Sequence, residues 1–266
     1  MTEASSAGKG TAVVTGATRG IGRELARLFA ATGHDVALVA RTESDLAETA
    51  AEFRDRFGVE TETAAADLTE PEAPERVQAA TAERDVTAVV NNAGYAAAGR
   101  LDAADPEETL GMVDLKARTA TELTRRYLPE LQAGPREGRL LTVASASAFV
   151  PGPRNAVYHA VNSYGLALSE SLAAELDGED VTVTCLCPGP VDTDFHERAG
   201  TDERERSLVP TPAMEPRAVA RAGFRGLRRG ETVVVPGLSM RLLTALARLT
   251  PRPLARRVMR YYNRGL

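Results

Sequence analysis

The chain has 266 residues, 43% of them hydrophobic and 26% charged, with a net charge of −5; this composition suits one globular domain and excludes disorder and collagen. No run of about 18 apolar residues is present to span a bilayer, and the first residues lack the layout of a secretory signal, so the expected compartment is the cytoplasm. Cys185 and Cys187 are the only cysteines; they rule out a disulfide framework, read as reduced core thiols, and leave no expected metal site.

Strand-like and helical patterns alternate from the start, the layout of an α/β fold: a single Rossmann-type, doubly wound parallel sheet of about seven strands with helices on both faces. The expected strands are Thr11 to Thr15, Asp35 to Ala40, Glu60 to Ala65, Ala88 to Val90, Arg139 to Val143, Val181 to Leu186 and Thr232 to Val235. The expected helices are Glu24 to Thr32, Ser44 to Phe57, Pro71 to Glu83, one long helix from Glu107 to Leu131, and Val157 to Leu176. Residues 188–216 hold charged clusters and several prolines and are expected to form a lid. Residues 238–266 read as a basic, amphipathic helical tail on a single domain spanning 1–266.

Charge is unevenly spread. From Arg217 onward 12 arginines stand against one acid, Glu231, so that segment carries +11 and the remainder −16. Of the 32 basic residues, 30 are arginine; only Lys9 and Lys116 are lysine. A lysine kept against such a bias is a candidate for chemistry that the permanently charged guanidinium cannot perform.

The segment Thr15-Gly16-Ala17-Thr18-Arg19-Gly20-Ile21-Gly22 follows the first strand and opens the first helix, where backbone amides and the helix dipole can hold a pyrophosphate. The second strand ends in Arg41 instead of the acid that commonly takes both ribose hydroxyls, and a guanidinium there suits a 2′-phosphate. Arg19 adds a second positive group, so NADP(H) is favoured over NAD(H).

With these residues, Asp67, the run Asn91-Asn92-Ala93-Gly94, Ser145, Tyr158 and the run Pro188-Gly189-Pro190-Val191-Asp192-Thr193, the sequence resembles the classical short-chain dehydrogenase/reductase (SDR) family from about Gly10 to Gly237. The resemblance implies that Asp67 contacts the adenine, that the run from Asn91 through Ala93 to Gly94 supports the cofactor, that Pro188 and Gly189 bind it too, and that Val191 and Thr193 touch the nicotinamide carboxamide. It also implies Tyr158 as general acid/base and Ser145 as the hydrogen-bonding partner of the substrate oxygen. A free tyrosine has a pKa near 10, so this role calls for a nearby cation.

The family places that cation on a lysine four residues after the tyrosine, and here Asn162 stands there. Its fourth catalytic residue is an asparagine in the preceding long helix, where this chain has Lys116. The two residues read as exchanged, with Lys116 supplying the cation and Asn162 holding ribose or water. The expected activity is NADP(H)-dependent interconversion of a carbonyl and a secondary alcohol on a small-molecule substrate. The alternative is a non-redox enzyme of the same fold, catalysing isomerisation, dehydration or a rearrangement with an altered tetrad.

His159 beside Tyr158 is expected to pack or face solvent, and His34 and His196 are too isolated for metal ligation. Phe149, Pro190, Phe195, Met214, Tyr95 and Ala96 are candidate pocket residues, though lid packing explains them equally. The tail is expected to pack over the site or against a partner subunit of a homodimer or homotetramer, with peripheral contact to an anionic membrane as the second reading. Nucleic acid is not an expected partner.

Overall fold

The computed structural model describes residues 9–193 and 212–262; of the expected lid, 194–211, with Phe195 and His196, lie outside the described residues, as does the end of the tail. Seven strands form one parallel sheet in the order β3-β2-β1-β4-β5-β6-β7: β1 Thr11–Thr15, β2 Asp35–Ala40, β3 Thr61–Ala65, β4 Val86–Asn91, β5 Gly138–Val143, β6 Val181–Leu186 and β7 Val233–Val234. Chain order reverses direction between β1 and β4, the switch point where open α/β sheets leave a crevice at their carboxyl edge.

Side chains alternate faces along each strand. Ala12, Val14, Val36, Leu38, Ala88 and Val90 fall in one core, under α1 (Gly20–Ala31), α2 (Glu43–Phe57) and the helix Pro216–Arg228, here α7. Val13, Ala37, Val39 and Val89 fall in the other, with Leu123 and Tyr127 of α5 (Ala120–Ala133) and Val77 of α3 (Ala73–Ala80). Both faces of the central strands are therefore apolar, which is why these strands read as continuous hydrophobic runs.

Two expectations are corrected. The first helix begins at Gly20 and not at Glu24, because the glycines of its first turn carry no side chain to reveal the helical period. The long helix runs on as expected, but it is not α-helical throughout: α4 (Pro106–Val113) passes into a π-helical turn, Asp114–Thr119, and then into α5. Asp105 caps α4 by accepting from the Glu107 amide at 2.8 Å. The π turn is pinned to the loop after β3 by Thr119 Oγ1 donating to Leu68 O at 2.7 Å and Arg118 donating to Thr69 O at 2.7 Å.

After β5 a 3₁₀ turn (Ala146–Phe149) leads to α6 (Ala156–Glu175). The tail forms two helices, α8 (Leu238–Leu249) and α9 (Arg252–Tyr262). Cys185 and Cys187 are buried and unbridged.

Candidate active site

The carboxyl ends of β1 and β4 are joined by one hydroxyl. Thr15 Oγ1 donates to Val90 O at 3.1 Å and accepts from the amides of Asn92 and Ala93 at 2.9 and 3.0 Å. Asn92 Nδ2 returns a bond to Thr15 O at 2.8 Å. The glycine loop and the Asn91–Gly94 loop are thereby held against each other. Thr15 and Asn92 were read in the sequence as members of these two motifs, but the bonds between them were not, because 77 residues separate the two.

Gly16 and Gly20 have φ of +66° and +53°, which L-residues rarely adopt. A Cβ on Gly22 would meet Gly16 O at 2.2 Å, so the helix can start this close to β1 only with glycine there. Among the described residues no side chain caps the start of α1, whose first amides remain for a ligand. Thr18 and Ile21 flank this turn, Ile21 packing on the core beneath. Thr193 Cγ2 would lie 3.3 Å from a Cβ on Gly20, so the Pro188–Thr193 loop closes over the same spot. Pro188 O accepts from the Ala146 amide at 2.7 Å, and Val191 bridges to Met214, which ties both ends of the expected lid into the fold. This cradle fits a dinucleotide: glycines at a strand-to-helix turn, free amides, and a loop folding over them.

Arg41 is exposed at the end of β2 and acts on Asp67 across the ends of β2 and β3. Burial works to raise the Asp67 pKa, but hydrogen bonds from Thr69 N and Oγ1, with the charges of Arg41 and Arg76, hold it below the usual carboxylate value. Arg19 is tied to Asp45 at 2.7 Å.

Ser145 begins the 3₁₀ turn and accepts from the Ser147 amide at 3.1 Å. Tyr158, on the first turn of α6, has its hydroxyl in hydrogen-bonding relation with Ser145 and Asn162. Burial raises the Tyr158 pKa, and those two hydrogen bonds work against the rise. His159 packs its ring on Gly152 and hydrogen-bonds Val150 O through Nδ1 at 2.7 Å. It supports the loop before α6 and does not face open solvent.

Lys116 runs from the π turn past Gly94, where an added Cβ would lie 2.3 Å from its Cε, and donates from Nζ to Val143 O at 3.0 Å. Burial lowers its pKa to about 8. Lys116 and Asn162 line one small cleft, partly open to solvent, together with Asn91, Ala93, Val143 and Gly165. Asn162 is fully buried; Nδ2 donates to Tyr158 O at 2.7 Å, while Oδ1 has no partner. Asn91 Nδ2 is bonded to Thr124 Oγ1 at 3.0 Å, and its Oδ1 is likewise unpartnered.

Of the candidate pocket residues, Tyr95 is committed to Glu108 O at 2.8 Å, and Phe149 lies under Arg248 with the guanidinium carbon 4.8 Å from the ring centre. Among the described residues no cluster of His, Cys, Asp and Glu is arranged to hold a metal.

A parallel sheet with this order and a glycine-rich turn at its switch point define a Rossmann-type dinucleotide-binding enzyme. Residues 10–204 match the family model described as short chain dehydrogenase, and the chain belongs to that family of oxidoreductases. It is 37% identical over 186 residues to a 1-deoxy-11-beta-hydroxypentalenate dehydrogenase of Streptomyces exfoliatus, covering 68% of this chain and 67% of the relative. A short-chain dehydrogenase from Sphingobium yanoikuyae, solved in complex with NADPH, superposes with a TM-score of 0.76 at 30% identity, covering 88% of this chain and 91% of that one. A 7beta-hydroxysteroid dehydrogenase superposes with a TM-score of 0.84 at 26% identity, covering 94% and 96%.

Proposed function

We propose that the protein is an NADP(H)-dependent oxidoreductase that interconverts a carbonyl compound and a secondary alcohol, with Tyr158 as general acid/base. The observation that carries this reading is the meeting of Tyr158 with Ser145 and Asn162 beside the cleft that Lys116 shares. When bound, the nicotinamide supplies the hydride. The loop Gly16, Thr18, Gly20, Ile21, Gly22 would take the pyrophosphate on its amides, and Arg41 with Arg19 the 2′-phosphate. Asp67 would meet the adenine; Asn91, Ala93, Gly94, Pro188, Gly189, Val191 and Thr193 would enclose the nicotinamide end.

Ser145 Oγ holds the substrate oxygen. Tyr158 gives that oxygen its phenolic proton in the reducing direction and recovers it in the oxidising one. Burial keeps Tyr158 protonated, as a donor requires; oxidation requires a cation to lower its pKa. Lys116 is the cation assigned to that role, its stem in the cleft that Asn162 also lines. The unpaired Asn162 Oδ1 accepts from a ribose hydroxyl or a water in the same space.

The test is calorimetric binding of NADPH and NADH, since the chain has no tryptophan to report by fluorescence, with turnover of ketones followed by nucleotide absorbance. NADPH is expected to bind more tightly than NADH, and Lys116→Ala to lose far more binding and activity than Asn162→Ala. Equal tolerance of both substitutions removes Lys116 from the mechanism, and no binding of either nucleotide overturns the whole reading.

A further inference from the structure

Helices α8 and α9 carry an apolar surface that the described fold does not cover. On α8 the anchoring side chains are Met240 and Thr244, both buried. Met240 lies against Gly189, and Arg248 lies over Phe149 and bonds Glu170 at 3.1 Å. Leu238, Leu242, Leu246 and Leu249 fall on the opposite side, at helical spacing, and are 74%, 65%, 63% and 82% exposed. On α9 Ala255 is buried, while Leu254, Val258 and Tyr261 form an exposed stripe. Scattered exposed leucines need no explanation, but a continuous row rimmed by charge marks an interaction surface.

The charge around that row is of one sign. Residues 238–262 contain six arginines and no acid. Arg252, Arg256, Arg257 and Arg260 have no carboxylate partner among the described residues. A second copy meeting the same face through a two-fold axis would set arginine against arginine with nothing to neutralise them.

We propose that the α8–α9 pair docks the protein on an anionic lipid surface, the leucine row and Tyr261 entering the headgroup–acyl boundary and the α9 arginines meeting lipid phosphates. The combination of an outward apolar stripe and flanking cations is what an interfacial helix requires. Among the described residues no helix is long and apolar enough to cross a membrane, so the pair lies on the surface. Through Met240 and Arg248 the platform is joined to the Gly189 loop and to the turn after Ser145, which brings the rim of the candidate site to the lipid boundary.

The experiment is co-sedimentation of the full chain with phosphatidylcholine vesicles, with and without phosphatidylserine. Retention is expected on the phosphatidylserine vesicles only, and salt should release it. Leu242→Glu with Leu246→Glu should abolish it, and Arg256→Gln with Arg257→Gln should weaken it about thirtyfold, at roughly 1 kcal/mol per basic side chain. All four positions are exposed, so circular dichroism and thermal unfolding should match the unaltered protein. Equal retention on neutral vesicles, or none on anionic ones, overturns the proposal. So does a dimer, seen by light scattering, that the leucine substitutions dissociate while vesicle binding is absent; the face would then belong to self-association.

Discussion

In the proposed reading Arg41 is the side chain that selects what the ribose carries. Its guanidinium is exposed beside Asp67, and a phosphate placed there gains charge-assisted hydrogen bonds that a ribose hydroxyl cannot match. Arg41→Asp is expected to lower the preference for NADPH over NADH roughly ten- to hundredfold, the loss of one such contact, as read by calorimetry with both nucleotides. An unchanged ratio would mean that Arg41 does not read the 2′-phosphate. The position of Arg41 was legible because it lies at a fixed place, directly after the second strand. The engagement of Arg19 with Asp45 was not: those residues lie 26 apart, and only the packing of α1 beside α2 brings them together. The same holds for Thr15, whose hydroxyl grips amides 77 and 78 residues away.

Elements were legible where their side-chain period is simple. The alternating and continuous apolar runs of β1, β2 and β4 correctly announced a parallel sheet, since each strand feeds two cores. The π turn at Asp114–Thr119 was not legible, because one extra residue in a helix leaves the apolar spacing on either side intact. Yet that turn sets the direction of Lys116, with Thr119 and Arg118 fastening it to the loop after β3. Gly94 completes the channel for the lysine stem, and Gly94→Ala would place a methyl group 2.3 Å from Cε. That substitution is expected to push Nζ from Val143 O and to reproduce the loss caused by Lys116→Ala. In a double-mutant cycle the two losses should fall well short of adding; additive losses would show that Gly94 acts independently of the lysine. The amphipathic character of α8 and α9 was likewise readable, but which side they bury was not, because it depends on Met240 meeting Gly189.

At the scale of the whole molecule, the sheet's acid tolerance rests in part on His34, just before β2. Its ring is 4% exposed, meets Phe29 edge-on at 5.2 Å between centres, and has Nδ1 3.2 Å from Thr32 Oγ1. Burial, with the charges of Arg139 and Lys9, lowers its pKa from 6.5 to about 4. In the unfolded chain the imidazole takes up its proton near pH 6.5, while the native fold resists until about pH 4, so the unfolded state binds more protons between those limits. Stability is therefore full above pH 6.5 and falls as pH drops towards 4, by up to about 3 kcal/mol from this group. His159, whose pKa burial also lowers, loses stability in the same direction. His34→Gln removes only the first contribution, so its effect is the difference between two pH profiles. The unfolding free energy of the variant, measured by denaturant titration at pH 7 and at pH 4, should decline less than that of the unaltered protein. Parallel profiles would mean that His34 is protonated in the native state and that another group sets the acid limit.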